Sequence, residues 1–246
     1  MREVLRLTTY VFFRRIEVVG TEHIPREGAS IFFGNHPNSL LDPALISAFG
    51  ERMIHFAAKD TLFEKPILAR VLSRMGAIPI KRRQDHGGGT LDNESAFRAL
   101  DDLLDRGGAM GIFPEGISHD GSQLVALKSG AARVGLNAVD RGVTLSLIPC
   151  GLHYVRRKRF RSSVLIQFGP PIILSEESVQ ERKQRLGSLT PRALTEEMEL
   201  HLRALTVNAE DWEDIALLDT VRRLYQPPKI SLEDRIELSR RFNRYY

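Results

Sequence analysis

The sequence predicts an α/β fold on three grounds. Short β-rich runs alternate with stretches whose apolar residues recur at helical spacing. Each β-rich run ends where a polar motif begins, which is where open α/β sheets carry their sites. The 246 residues, 42% of them hydrophobic, suffice for one large domain with a sizeable core. In chain order, 29–34 (Ala-Ser-Ile-Phe-Phe-Gly), 53–58, 77–80, 109–113, 144–151 and 164–168 read as strands. Residues 43–49, 66–75, 93–106 and 125–139 read as helices between them.

Both ends depart from this alternation. Val4, Leu5, Leu7, Val11, Phe12 and Ile16 recur at roughly helical spacing with arginines among them. Residues 1–19 therefore read either as an interfacial membrane helix or as a helix packed on the core. Arginines interrupt the apolar region and no small-residue cleavage site follows, which argues against a signal peptide. No segment reaches the ~18 to 20 consecutive apolar residues of a spanning helix. Residues 20–171 hold the strand and helix alternation, and past Gly169-Pro170-Pro171 the chain turns amphipathic and charged. Thr190-Pro191 reads as a cap followed by proline at the first helical position, and Ser231 with Asp234 as a weak capping box. Residues 172–246 thus read as a helical C-terminal extension.

The formal charge of +4 comes from 35 basic and 31 acidic residues, so its placement matters more than its total. Arg2, Arg6, Arg14 and Arg15 flank Val11-Phe12-Phe13, and Arg156-Arg157-Lys158-Arg159-Phe160-Arg161 forms a second cluster. Basic patches studded with aromatics suit anionic lipid headgroups or nucleic acid, or are simply solvated faces. Nucleic acid ranks last, because no recognition motif accompanies the run. The single Cys150 excludes a disulfide framework and a paired-thiol metal site, and fits a reducing compartment. Gly87-Gly88-Gly89 lacks a following Gly-Lys-Ser/Thr and reads as a connector, not a phosphate cradle.

Chemistry is concentrated in His36-Pro37-Asn38-Ser39-Leu40-Leu41-Asp42. Pro37 biases His36 away from helical dihedrals, toward a strand end or turn. On one ideal helix the two side chains would stand about 240° apart, so only a turn before a helix holding Asp42 lets them meet. Asp42-Pro43 is equally a good cap-plus-first-residue pair, which accounts for the aspartate without chemistry. If His36 accepts a proton from an alcohol, Asp42 would fix its tautomer and stabilise the imidazolium, and the attacking hydroxyl could belong to a substrate. Ser39 as a covalent nucleophile ranks lower, since it lacks a Gly-x-Ser-x-Gly elbow.

Three further blocks follow. Gly76-Ala77-Ile78-Pro79-Ile80-Lys81-Arg82-Arg83 delivers cations at a strand end, where a guanidinium can grip a phosphate through two hydrogen bonds. Phe113-Pro114-Glu115-Gly116-Ile117-Ser118 holds a glutamate in a tight turn, where it could orient an arginine or bond substrate hydroxyls. Leu147-Ile148-Pro149-Cys150-Gly151-Leu152 is an apolar strand interrupted by proline. Taken singly, each is also an ordinary strand end, turn or edge.

All four blocks in this order resemble the glycerolipid acyltransferase superfamily, which includes lysophosphatidic acid and glycerol-3-phosphate acyltransferases. The resemblance covers about 20–171. Its Asn-His-x-Ser-x-x-Asp block is similar to Asn35, His36, Ser39 and Asp42, and its Gly-x-Ile-Pro-x-x-Arg block to 76–82. Its Phe-Pro-Glu-Gly-x-Ser block matches 113–118, and its last apolar proline block Ile148-Pro149. The family commonly has four residues between histidine and aspartate, whereas here there are five, with Asn38 as the apparent extra one. A longer spacing resembles the branch of fungal glycerol-3-phosphate and dihydroxyacetone-phosphate acyltransferases, as do Thr206-Val207 and Arg222-Arg223-Leu224-Tyr225. That raises a three-carbon phosphate above lysophosphatidate as acceptor.

The resemblance implies a central mixed β-sheet flanked by helices, with 20–171 as the acyltransferase domain. It implies acyl transfer to a glycerol hydroxyl, with no metal or cofactor and with acyl-CoA or acyl carrier protein as co-substrate. It places His36 as base, Asp42 as its orienter and Arg82 as main phosphate ligand, with Lys59 and Lys81 as lesser phosphate contacts. Glu115, Gly116 and Ser118 become acceptor-pocket residues, and Asn35 and Ser39 shape the turn or bond substrate. The implied partners are an anionic membrane surface, at its cytoplasmic face, and a phosphorylated glycerol or lysolipid. Two rival readings remain: a thioesterase using Ser39 or Ser118, and a noncatalytic lipid-binding protein.

Overall fold

The computed structural model describes residues 2–81, 93–225, 227 and 229–245. Among them, eight strands form one mixed sheet: β1 (Phe13–Val19), β2 (Ala29–Gly34), β3 (Ile54–Lys59), β4 (Ile78–Ile80), β5 (Ala109–Ile112), β6 (Leu145–Tyr154), β7 (Ser162–Phe168) and β8 (Ile172–Leu174). Their order is β1-β7-β6-β2-β5-β3-β4, with β8 also on β6. Neighbours run parallel, except that β6 is antiparallel to both β7 and β8. The helices are α1 (Arg2–Phe12), α2 (Leu41–Phe49), α3 (Pro66–Arg74), α4 (Glu94–Asp105), α5 (Gly130–Asp140), α6 (Glu176–Leu186), α7 (Pro191–Leu205), α8 (Trp212–Tyr225) and α9 (Leu232–Tyr245).

The apolar run of β2 explains its central place. All six of its residues are buried, because both faces of the sheet are covered. Ile31 and Phe33 pack with Leu100, Ala132 and Leu194 on one face, and Phe32 packs with Leu45, Ile46 and Phe56 on the other. This is the two-residue alternation of a strand, read between two helical layers.

Several expectations change. Residues 1–19 divide into a short helix and an edge strand, β1, whose Ile16 and Val18 pair with Val164 and Ile166 of β7. Arg14, Arg15 and Glu17 masked that strand, as an edge tolerates charges that a central strand does not. The C-terminal stretch also contributes to the sheet through β8, and α7 buries Leu194, Met198 and Leu202 in the same core as Ile31. The stretch from β8 through α7 therefore shares the core. Helix α5 starts at Gly130, five residues later than expected; the stretch before it runs along the loop after β5, with the Val125 amide on Glu115 and the Lys128 amide on the Pro114 carbonyl.

Caps behave as the sequence indicates. The Thr190 hydroxyl accepts the Ala193 amide with Pro191 as first helical residue, and Ser231 accepts the Asp234 amide at 2.9 Å. At α9 the Glu17 carboxylate adds a second cap from across the sheet, accepting the Leu232 and Glu233 amides. The carboxyl ends of β2, β3, β4 and β5 share one edge, and that edge carries the polar blocks.

Candidate active site

His36 stands just past the end of β2, and residues 37–40 make the turn that precedes α2. Ser39 holds that turn with a left-handed φ of 45°, uncommon for a residue with a side chain. The turn brings His36 Nδ1 to 2.8 Å from Asp42 Oδ2. Asp42 lies inside the first turn of α2, Leu40 occupies the cap position, and no side chain caps this helix. The cap account of Asp42 is therefore set aside, since its carboxylate points to the turn instead.

Asp42 is wholly buried, and its oxygens are satisfied. Besides His36, Oδ2 accepts the Asn38 amide at 2.7 Å, and Oδ1 accepts the Tyr154 hydroxyl at 2.6 Å. Burial, helped by the Asp42 charge, pushes the Tyr154 hydroxyl well above its ordinary pKa, so it remains a donor. Asp42 accepts only, which places the imidazole proton on Nδ1 and leaves the Nε2 lone pair for a substrate. Phe113 fixes the ring plane, stacked on His36 with centroids 4.0 Å apart and planes within 6°.

Glu115, expected among the acceptor-pocket residues, lies beneath His36. The residue is 1% exposed and its oxygens are occupied by protein groups. Oε1 accepts the His36 amide at 2.8 Å, while Oε2 accepts the Val125 amide and pairs with His119 Nε2. The His119 amide in turn donates to the His36 carbonyl at 3.2 Å, so the loop after β5 grips His36 from both sides of its backbone. Ser118 Oγ accepts the Ser39 amide, linking the same two segments. Gly116 has a φ of 72°, and a Cβ there would collide with Lys128 Nζ, so a cation lies over this turn. The Asn35 side-chain amide exchanges two bonds with the Leu152 backbone on β6.

Lys59 ends β3 and Lys81 follows β4, on the same sheet edge as His36 but on the far side of β5. Arg82, expected as main phosphate ligand, lies outside the described residues. Among the described residues, no three His, Cys, Asp or Glu side chains gather as metal ligands. Sequence reasoning missed Tyr154, His119 and Arg157. The Arg157 guanidinium bonds the Pro37 and His119 carbonyls and pairs with Asp120, bracing the same turn. His119 adjoins the Phe-Pro-Glu-Gly-x-Ser block and Tyr154 ends β6, so their proximity to motifs was the available signal.

The fold and the site together define an α/β protein with a His-Asp pair, its aspartate buried, at the carboxyl edge of its sheet. The chain belongs to the Acyltransferase family, which matches residues 15–153. It is 36% identical over 144 residues to glycerol-3-phosphate O-acyltransferase 2 of Saccharomyces cerevisiae, covering 58% of this chain and 19% of the yeast protein. It is 25% identical over 201 residues to 1-acyl-sn-glycerol-3-phosphate acyltransferase of Borreliella burgdorferi, covering 81% of this chain and 78% of that one. The crystal structure of the 1-acyl-sn-glycerophosphate (LPA) acyltransferase of Thermotoga maritima shares the fold, with a TM-score of 0.53 and 21% identity over 80% of this chain and 79% of that one. The match spans about a fifth of the yeast relatives' length.

Proposed function

We propose that this protein transfers a fatty acyl group from a thioester donor to a hydroxyl of glycerol 3-phosphate, dihydroxyacetone phosphate or a lysophospholipid. The observation that carries this reading is the His36–Asp42 pair, with its proton on Nδ1 and its carboxylate held by Tyr154 and the Asn38 amide. His36 Nε2 takes the acceptor's hydroxyl proton as the oxygen attacks the thioester carbonyl. The carbon–sulfur bond then breaks, and the imidazolium returns the proton to the departing thiolate. No serine need be acylated in this sequence of steps.

Lys59 and Lys81, with Arg82, would hold the acceptor's phosphate, and the five-residue His–Asp spacing together with the yeast relative favours a three-carbon phosphate. Among the described residues no helix is long and apolar enough to cross a membrane. Helix α1 leaves Val4, Leu7 and Val11 exposed along one side, with Arg2 and Arg14 at its two ends, which suits peripheral docking to an anionic cytoplasmic membrane face. The test incubates purified protein and labelled acyl-CoA with glycerol 3-phosphate, dihydroxyacetone phosphate or lysolipids. Label should enter one of the phosphorylated acceptors. Release of free fatty acid alone, at the same rate with and without acceptor, would replace the reading with a thioesterase.

A further inference from the structure

Residues 113–129 join β5 to α5 without helix or strand. A stretch this long has to satisfy its backbone groups outside itself, and long irregular segments of this kind are usually functional. Its first half grips His36, with Glu115 on the His36 amide and the His119 amide on the His36 carbonyl. Its second half holds Glu115, whose Oε2 accepts the Val125 amide at 3.1 Å. The groups that hold the second half come from the other side of α7.

There the connector between α7 and α8 runs antiparallel to 120–124. Asn208 Oδ1 accepts the Leu124 amide at 2.9 Å, the Ala209 amide donates to the Ser122 carbonyl at 3.2 Å, and the Trp212 Nε1–H donates to the Asp120 carbonyl at 3.0 Å. Asn208 is fixed in its turn. Its Nδ2 donates to Thr206 Oγ1 at 2.8 Å, and the buried Thr206 hydroxyl donates to the Leu202 carbonyl at 3.0 Å. Helix α7 is set in the core by Leu194, Met198 and Leu202, so a continuous series runs from the core through Thr206, Asn208, Leu124, Val125 and Glu115 to His36. Thr206 and Asn208 share a cavity of about 60 Å³ with His36, Glu115 and His119. That is far below the ~300 Å³ of a small ligand site, so Asn208 lies close to the base without forming a seat for substrate.

We infer that Asn208 is a positioning residue for the transfer. It fixes Leu124, and through the adjoining Val125 amide the Glu115 carboxylate, so that His36 is held in one place relative to both substrates. The inference rests on the acyl-transfer reading and gives the Thr206-Val207 block a task, which is to carry the Asn208 oxygen to the loop beneath the base. The bonds of Ala209 and Trp212 are enough to hold α8, whereas the Asn208 bond is the one that adjoins the Val125 amide. A displacement of about 1 Å at a reacting group costs up to ~10²-fold in rate.

Residue-resolved amide exchange tests the coupling without any turnover. In the parent, the His36, Leu124 and Val125 amides should open as one unit, with protection factors within about tenfold of one another; a wider spread would show separate openings and overturn the inference. In Asn208→Ala all three should lose protection about tenfold or more, and loss at Leu124 alone would overturn it as well. With labelled acyl-CoA and the preferred phosphorylated acceptor, kcat and kcat/KM should fall together by about ten- to a hundredfold, while circular dichroism at the assay temperature matches the parent. Asn208→Asp keeps an oxygen for the Leu124 amide and should recover most of the rate. A parent-like kcat in Asn208→Ala, a raised KM at the parent's kcat, or an Asp variant no faster than the Ala variant overturns the positioning role and leaves acyl transfer standing. If Asn208→Ala does not fold, the parent's exchange pattern and the rate of Asn208→Asp decide. If the parent transfers no label, the acyl-transfer reading fails, and exchange alone shows whether Asn208 holds His36.

Discussion

Tyr154→Phe removes one hydroxyl and leaves the ring that packs against Phe13 at 5.8 Å. What disappears is a 2.6 Å O–H···O bond to an aspartate with no solvent exposure, so Asp42 Oδ1 is left without its donor. A hydrogen bond to a buried charge contributes about 1.5–3 kcal/mol, and water cannot reach this oxygen without opening the site. The expected cost is about 2 kcal/mol of folding stability, or roughly 4–8 °C in Tm for a chain of this size. Because Asp42 also orients His36, part of the loss should appear in the reaction. A fall of about tenfold in kcat corresponds to ~1.4 kcal/mol. Thermal unfolding and steady-state kinetics on the same preparation measure the two effects. A variant with the parent's Tm and kcat would show that Oδ1 needs no donor and refute the reasoning.

Three further outcomes are expected. Glu115→Ala strips the acceptor from the His36 and Val125 amides and should cost about 3 kcal/mol in urea unfolding, with Glu115→Gln recovering part; equal stability in all three proteins would contradict the bracing role. Gly20→Ala should cost more than ~2 kcal/mol, since φ is 78° and the new Cβ would overlap the Phe168 carbonyl; a parent-like midpoint would show that the strand end yields freely. His153 donates to the Leu205 carbonyl, and burial foremost, with Arg240 adding to it, lowers its pKa to about 4. An unfolded histidine titrates near ~6.5, so the unfolded chain binds more protons between the two values. His153's contribution is therefore complete above pH ~6.5 and is lost as the pH falls toward 4, by at most ~3 kcal/mol. His153→Gln should flatten that slope, and an unchanged slope would move the titration elsewhere.

What could be read from the sequence follows how local each signal is. The strands β2, β5 and β6 announce themselves as apolar runs, and Pro37 puts His36 at a strand end or turn, because a proline constrains its neighbour directly. Strand β1 stayed hidden because its apolar residues also fit a helix, and only pairing with β7 decides between the two. Strand β8 follows directly on Gly169-Pro170-Pro171, which reads as the end of the alternating region, and only its pairing with β6 shows it as a strand. Tyr154 meets Asp42 across 112 positions of chain, and Glu17 caps α9 across 215, so neither contact leaves a local trace. Glu115 stands out in its Phe-Pro-Glu-Gly turn, but its bond to the His36 amide arises only where the two loops converge.

The central claim is that His36, oriented by Asp42, is the base in acyl transfer. Its most direct test is the rate at which labelled acyl groups pass from acyl-CoA to the preferred phosphorylated acceptor in the parent and in His36→Ala, with Tm recorded for both. The account predicts a loss of about 10²–10⁴-fold in turnover at an unchanged fold. A folded His36→Ala protein that still transfers the label at the parent's rate would contradict it.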